Sequence, residues 1–331
     1  MSILTGDLRW FGSQSMPDDD TPTEIGGAID TDKKVMFIDI GSADGGMQIV
    51  SSDAGDTMDD VEVFYRDATG VLLSENNTLN GQTPDVYAAT PERVLKAIKS
   101  GSTAGDIALE SVTAVRSNTA QAGGANDEII LDAAASAVDG FYNGMVVRLT
   151  GGTGQFQIRE VVAYTGATKK ARVNRIWTAN PDATTTFKIS KGILFEKTPF
   201  EILEVRRPFY NASANAPGGG AVAYYEKIFC ANTHATLTLT AAKVIESSDP
   251  STKITFAKET VNDGTGTNGV GNNRKVAPSA GVSAFDSADK DVNGLQLDAA
   301  ETMGVWLKLS LDDGDSAQKT TYTPRLRGNT V

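Results

Sequence analysis

Residues 221–245 read AVAYYEKIFCANTHATLTLTAAKVI. Tyr224, Glu226, Ile228 and Cys230 alternate with Tyr225, Lys227 and Phe229; further on, Leu237 and Leu239 alternate with Thr236, Thr238 and Thr240. Period-two alternation marks a strand with one buried and one solvated face. The stretch therefore reads as two strands joined at Ala231-Asn232-Thr233-His234. It holds the only cysteine and the only histidine of the chain, Cys230 and His234. A nucleophile and a base at such spacing would need a third, orienting group, and none is implied. A lone buried cysteine behaves as a small hydrophobe, and imidazole tolerates the backbone angles of a turn. The pair reads as structural.

Outward from this stretch, the composition points the same way. The chain has 331 residues, enough for two or three domains, and is 40% hydrophobic, within the globular range. With 33 glycines and abundant Thr, Asp and Asn, it suits short strands and tight turns. A net charge of −12 works against a surface that tracks phosphates, so no nucleic-acid partner is expected. The densest basic group, Lys169, Lys170, Arg172 and Arg175, reads as the solvated side of a strand. One cysteine excludes an internal disulfide and a thiolate metal cluster. The start MSILTGDLRWFG lacks the pattern of a signal peptide, and no apolar run approaches the roughly 20 residues that cross a bilayer. The expectation is a soluble protein made in a cytosol, with no membrane partner.

In chain order, Asp7–Gly12 reads as a short strand. Residues 12–27, with Pro17, Asp18, Asp19, Asp20 and Pro22, read as an extended loop. Lys34–Ile40 reads as a second strand, and Gly41–Asp60 as a crossing into a new unit. Val61–Arg66 and Val71–Leu79 are strands around the Asp67–Gly70 turn, and Asn80-Gly81 is a hairpin signal. Thr90–Ile98 is the best helical candidate: Thr90 caps, Pro91 takes the first helical position, and Val94, Leu95 and Ile98 share a face. Gly105–Val115 returns to strand, and Thr119–Asn126 is a second boundary. Five strand segments between Ile129 and Ser190, separated by glycine and asparagine turns, point to a small barrel or sandwich. Phe195–Phe209 reads as a connecting strand and Asn211–Gly220 as a hinge. Lys253–Lys258, Gly304–Leu311 and Thr320–Leu326 are strands, with a long loop over Asn262–Gly281.

Several motifs invite chemistry and fit plainer roles. Asp18-Asp19-Asp20 offers carboxylates for Ca²⁺ but lacks EF-hand spacing and a closing Glu, so it reads as a wet turn. Gly264-Thr-Gly266-Thr-Asn-Gly269 matches a dinucleotide fingerprint in letters, yet no helix follows to present its N-terminus to a pyrophosphate. Gly151-Gly-Thr-Gly154 lacks the ending of a phosphate loop and reads as a hairpin turn. Asp312, Asp313 and Asp315 around Gly314 read as a solvated turn. The sequons at Asn76 and Asn211 carry no weight without a secretory signal. No catalytic, cofactor-binding or metal-ligating residue is assigned.

Three stretches resemble structural proteins of tailed-bacteriophage virions. Leu8-Arg-Trp10 through Gly26-Gly27-Ala28-Ile29, then Tyr225–Phe229, Asn232–Leu239 and Gly304–Leu309, resemble a small virion family with a β-sandwich. In that family the early strands are followed closely by an Asn-Thr-His hairpin; here most of the chain lies between them. Gly140–Gly144, Tyr164–Lys169 and Trp177–Thr184 are similar to a β-module of phage tail, neck and fibre proteins. Val61–Asp106, with Arg66–Gly70 and Gly101–Asp106, is similar to an immunoglobulin-like repeat of virion proteins. None of these carries catalytic residues.

The resemblance implies an all-β protein: a split β-sandwich, immunoglobulin-like or jelly-roll-like (residues 1–44 plus 205–331), an inserted Ig-like module (45–115) and an inserted small β-barrel module (116–204). Insertion is feasible because domain termini often lie close together at the surface. The implied function is a non-enzymatic virion component, assembled in the host bacterial cytoplasm as a multi-copy neck, collar or tail accessory. Capsid decoration, or a receptor- or glycan-binding module, is the alternative. Its partners would be other virion proteins and further copies of itself. The arm 12–27 and the loop 262–281 are the expected contacts, since extended segments add to neighbouring sheets.

Overall fold

A computed structural model describes residues 3–18, 22–37, 40–209, 220–265, 270–315 and 322–330. These residues form strands joined by turns and short 3₁₀ segments, with no α-helix among them. The fold is all-β and of sandwich type. The chain opens with β1 (Leu8–Ser15) and β2 (Gly26–Val35). Then follow β3 (Met47–Ser51), β4 (Asp60–Arg66), β5 (Leu72–Thr78), β6 (Asp85–Val86), β7 (Arg93–Lys99) and β8 (Ile107–Ser111). Next are β9 (Arg116–Thr119), β10 (Glu128–Ile130), β11 (Val146–Gly151), β12 (Ile158–Thr165), β13 (Lys170–Val173) and β14 (Thr186–Ser190). β15 (Gly192–Phe195) and β16 (Glu204–Arg206) precede β17 (Val222–Asn232), β18 (Leu239–Ser248) and β19 (Ile254–Lys258). The last are β20 (Lys290–Asp291), β21 (Gln296–Leu297), β22 (Thr302–Leu311) and β23 (Thr323–Thr330).

The chain divides into two compact units: residues 1–3, 7–37 and 206–331, and residues 4–6 and 38–205. In the first unit the order β19-β22-β17-β1-β2 builds one sheet. β1 pairs antiparallel with β17, Leu8 opposite Asn232 and Gly12 opposite Ile228. The split-sandwich reading puts Leu8–Phe11 in one sheet system with Tyr224–Ile245; β17 pairs with β1 directly, while β18 lies in the other sheet of the same unit. A second sheet has β18 at its centre, β20 and β21 on one side and β23 on the other. The inward side chains of both sheets, among them Tyr224, Ile228, Leu239, Val244, Phe256, Val305, Leu307 and Leu326, form one core.

Two readings of the quoted stretch change here. β17 and β18 are not a hairpin, because β17 bonds to β1 and β22 and the chain then crosses to the facing sheet. Nor does β17 have a wet face. Tyr224, Ile228 and Cys230 face the core between the sheets. On the other side Tyr225 packs with Ile25, Ala257 and Trp306 under Val282 and Phe285. Covering the outer face brings side chains close: a Cβ on Gly304 would lie 2.2 Å from Glu259 Oε2.

In the second unit β7-β4-β5 form one sheet and β15-β8-β3-β6 another. The remaining strands run β10-β13-β12-β11-β14-β9, and a bridge between Gln121 and Ile130 closes the order into a barrel. Ile129, Val147, Leu149, Val161, Val173, Phe187 and Ile189 fill it, and Tyr142 meets Tyr164 edge to face at 4.8 Å. Two buried carboxylates join the four-stranded sheet to this barrel. Glu110 of β8 meets Arg148 at 3.0 Å and Lys188 at 3.1 Å and accepts from Gln48 at 2.7 Å. Asp106 meets Arg159 at 3.3 Å, pairs with Arg175 and accepts the Lys197 N–H. Burial raises the Asp106 carboxyl against the pull of Arg175, and lowers Arg159 to about 10.

Other expectations also fail for physical reasons. Thr90–Ile98 is not a helix. Residues 93–99 are β7, because β4 supplies a ladder from Val61–Lys99 to Arg66–Arg93 and Val94, Leu95 and Ala97 are buried. Residues 41–60 are no open crossing: they contain β3, buried along its length between β8 and β6. The second strand is β2, beginning at Gly26 rather than Lys34, and β1 extends through Ser15; Ile38 and Asp39 lie outside the described residues. Asn80-Gly81 closes no hairpin, since β5 and β6 belong to different sheets. The hairpin is β4–β5, where the Asp67 carboxylate accepts the N–H groups of Thr69 and Val71. Phe195–Phe209 is β15 and β16 with a break between.

Glu201, in that break, is tied down by Lys197, Lys99 and Ser102 at 2.8, 3.0 and 2.9 Å and by the Thr103 N–H. Burial opposes its ionisation, but these bonds outweigh it and hold the carboxyl down to about 2. A depressed carboxyl contributes stability that is complete above its unfolded pKa and lost as pH falls through the folded one. The thermal midpoint should therefore drop between pH 4.5 and about 2, and Glu201→Gln should remove that component of the drop. Gly304→Val should lower stability by ~1–3 kcal/mol through overpacking, read as a lower urea midpoint at unchanged slope.

Candidate functional site

The arm 12–27 and the loop 262–281, expected as free contacts, are both fastened to the first unit's sheet. The cause lies in β17. Successive side chains of a strand point to opposite faces, so Glu226 takes the inner side with Tyr224 and Ile228, and Lys227 the outer. Neither carboxylate nor ammonium can remain there unpartnered, because desolvating a charge costs several kcal/mol.

Glu226 Oε1 lies 3.3 Å from Arg206 Nη2 and 3.3 Å from Arg274 Nη2, and Oε2 accepts the Phe209 N–H. All three charged side chains are buried. The guanidiniums then reach the arm. Arg206 Nη1 donates to the Met16 carbonyl and lies 3.2 Å from Asp18 Oδ1, and Arg274 Nη1 donates to the Asp18 carbonyl at 3.2 Å. The loop is held by its backbone as well: Tyr225 N–H donates to the Arg274 carbonyl at 2.6 Å, and Ile25 bridges Gly271. On the outer face Lys227 Nζ lies 2.6 Å from Glu259 Oε1 and donates to the Gly27 carbonyl at 3.1 Å. Burial raises the Glu259 carboxyl, opposed by Lys227.

The residues weighed for chemistry are each bonded or packed within their own surroundings. Cys230 Sγ is buried in the sandwich core, donates to the Met303 carbonyl at 3.6 Å, and burial pushes its thiol up to about 12. His234 Nδ1 accepts the N–H groups of Thr236 and Leu237 at 3.1 and 3.0 Å. Each is thus engaged in its own local structure. Asn232 anchors the same turn, donating to the Leu237 and Leu297 carbonyls at 2.8 and 3.0 Å. Of the three aspartates, Asp18 faces Arg206; Asp19 and Asp20 lie outside the described residues, as do Gly266 and Gly269 of the glycine motif and Asn211. Gly264 accepts the Ile29 N–H at 3.0 Å. The Gly151–Gly154 turn joins β11 to β12. Asp312 and Asp315 hold Lys253, each at 2.8 Å, and Asn76 donates to Asp60 at 3.0 Å. Among the described residues no group of three or more His, Cys, Asp or Glu is placed to hold a metal.

Of the basic group, Lys170 and Arg172 lie on the solvated side of β13, opposite in parity to buried Ala171 and Val173, as read, whereas Arg175 departs from that reading. Lys170 and Arg172 meet Glu128 at 3.0 and 3.2 Å, and Arg175 pairs with Asp106. Burial raises the Glu128 carboxyl, but the bond from Lys170 and the neighbouring charges outweigh it and leave it lowered. The Glu226 cluster was missed in the sequence although a signal for it existed. Glu226 falls on the parity of Tyr224, Ile228 and Cys230, and a charge on a buried parity requires a partner of opposite sign.

Removing one member of a buried ion cluster leaves the others uncompensated. Glu226→Gln should destabilise the unit by ~3–5 kcal/mol. It should also open the arm and the loop to a nonspecific protease, with mass spectrometry placing the first cuts within residues 12–25 and 262–281.

No protein-family model matches the chain, and no curated protein or solved structure matches it significantly.

Proposed function

We propose that this chain is a non-enzymatic structural component of a tailed-phage virion, used in several copies in a neck, collar or tail accessory assembly. The observation that carries the reading is the pairing of β1 with the end of β17. That pairing brings the Leu8-Arg-Trp10 segment beside the Asn-Thr-His turn, with Thr233 donating to the Asp7 carbonyl through both its N–H at 2.7 Å and its hydroxyl at 2.9 Å. These are the two segments through which the chain resembles a virion β-sandwich family, and between them lies the β-rich second unit.

The work done by the buried charges supports the same reading. Glu226, Arg206 and Arg274 hold extended segments flat on a sheet, and Glu110 and Asp106 join sheets. In this reading the chain assembles in the host cytoplasm with other virion proteins and with copies of itself.

Immunogold labelling of purified particles, with antibody to this chain, tests the proposal. Label confined to the neck or tail supports it. An even coat over the head would make the chain a capsid decoration protein instead. Particles purified to constant composition that lack the chain would end the virion reading.

A further inference from the structure

The outer-face pair Lys227 and Glu259 carries an inference that does not rest on the virion assignment. Lys227 is on β17 and Glu259 follows β19, and β22 runs between those two strands. The side chains meet across β22, over Gly304. Gly304 stands opposite Phe229 of β17, and its carbonyl accepts the Glu259 N–H at 2.9 Å. A Cβ at this position would lie 2.4 Å from Glu259 Cδ and 2.9 Å from Lys227 Cε. The missing side chain is what lets the two groups cross the strand and touch.

The crossing is dry. Both side chains are 0% exposed, Trp306 and Phe229 beside them are fully buried, and Lys227 Nζ lies 4.7 Å from the centre of the Phe229 ring. Nζ is 2.6 Å from Glu259 Oε1, yet neither carboxyl oxygen accepts a well-formed hydrogen bond. A buried ion pair offsets its desolvation only with good geometry and further hydrogen bonds, and this pair lacks them on the carboxylate side. Burial raises the Glu259 carboxyl against the pull of Lys227, and Asp263 pushes it the same way as burial. Both effects favour passing a proton from ammonium to carboxylate within the pair. The product of that transfer is a desolvated neutral amine, the nucleophilic form of lysine, held against a carboxyl group. The indole N–H of Trp306 is buried beside the same carboxyl, which it lowers, and is otherwise unpartnered. It is placed to donate to the oxygen on which negative charge develops during attack.

We propose that Lys227 and Glu259 condense to an internal amide cross-link. Nζ attacks Cδ, the Nζ–Cδ bond forms, and one Cδ–O bond breaks. The departing oxygen leaves as water with two of the three ammonium protons. From the ion pair the step is ammonium plus carboxylate to amide plus water, so it balances with no oxidant, cofactor or further reactant. The N–H that remains keeps the Gly27 carbonyl, 3.1 Å from Nζ, as its acceptor. The reaction removes two buried charges and ties β17 to the end of β19 across β22.

Mass spectrometry of the full chain, denatured, tests this. The wild type should weigh less than its sequence by one water. Its tryptic digest should contain a branched peptide in which Lys227 resists cleavage and carries the segment holding Glu259. Lys227→Arg, which keeps the charge, and Glu259→Ala should both return to the mass of their sequences. The branched peptide locates the bond in the wild type, so the result does not depend on either variant folding. A wild type at its full sequence mass, cut by trypsin after Lys227, overturns the proposal. So does a loss of water that persists in Lys227→Arg, since that loss lies elsewhere in the chain.

Discussion

Glu226 and Lys227 are neighbours on a strand buried on both faces, and the first unit is arranged to satisfy them. Opposite charges at consecutive positions of a strand point in opposite directions, so they cannot neutralise each other. The inner carboxylate draws in Arg206 and Arg274, and the outer ammonium draws in Glu259. Each partner brings a segment with it: the arm comes through Met16 and Asp18, the loop through Arg274, and the start of β2 at Gly27 through Lys227. Segments rich in small and polar residues, which bury too little apolar surface to order themselves, thus become part of the sheet's cover.

The second unit uses the same device at the joints between its layers. Val50, Ala108, Val146, Ile158 and Leu194 make a small apolar contact between the four-stranded sheet and the barrel. Glu110 and Asp106 add charged bonds beside it. Buried ion pairs are a weak source of net stability against an apolar alternative. Their geometric demands, however, fix how one layer meets another, and two carboxylates each bound by two cations admit few alternative dockings.

The sequence was legible where structure is local. The Asp67–Gly70 turn with its flanking strands and the run of strands that becomes the barrel both follow from a few adjacent residues. Residues 90–98 were misread although their local signals are genuine. A Thr cap, a Pro at the first position and a shared apolar face describe a short helix well, but the backbone bonds offered by β4 prevail because they also bury Val94, Leu95 and Ala97. The arm and loop were misread for the same reason in reverse. Nothing within residues 12–27 or 262–281 announces an anchor, because the anchor is a carboxylate at position 226.

By itself, then, the sequence determined that the chain is built mainly of short strands and where many of its strands and turns fall. Alternation, turn residues and composition act over a few positions and need no partner to be read. Only the tertiary structure decided which strands share a sheet, that β17 and β18 lie in facing sheets rather than a hairpin, and which charges are buried together. A strand's hydrogen bonds are all made to other segments, and a buried charge is answered from wherever the chain can supply the opposite sign. Both are properties of distance in space that no short window of sequence contains.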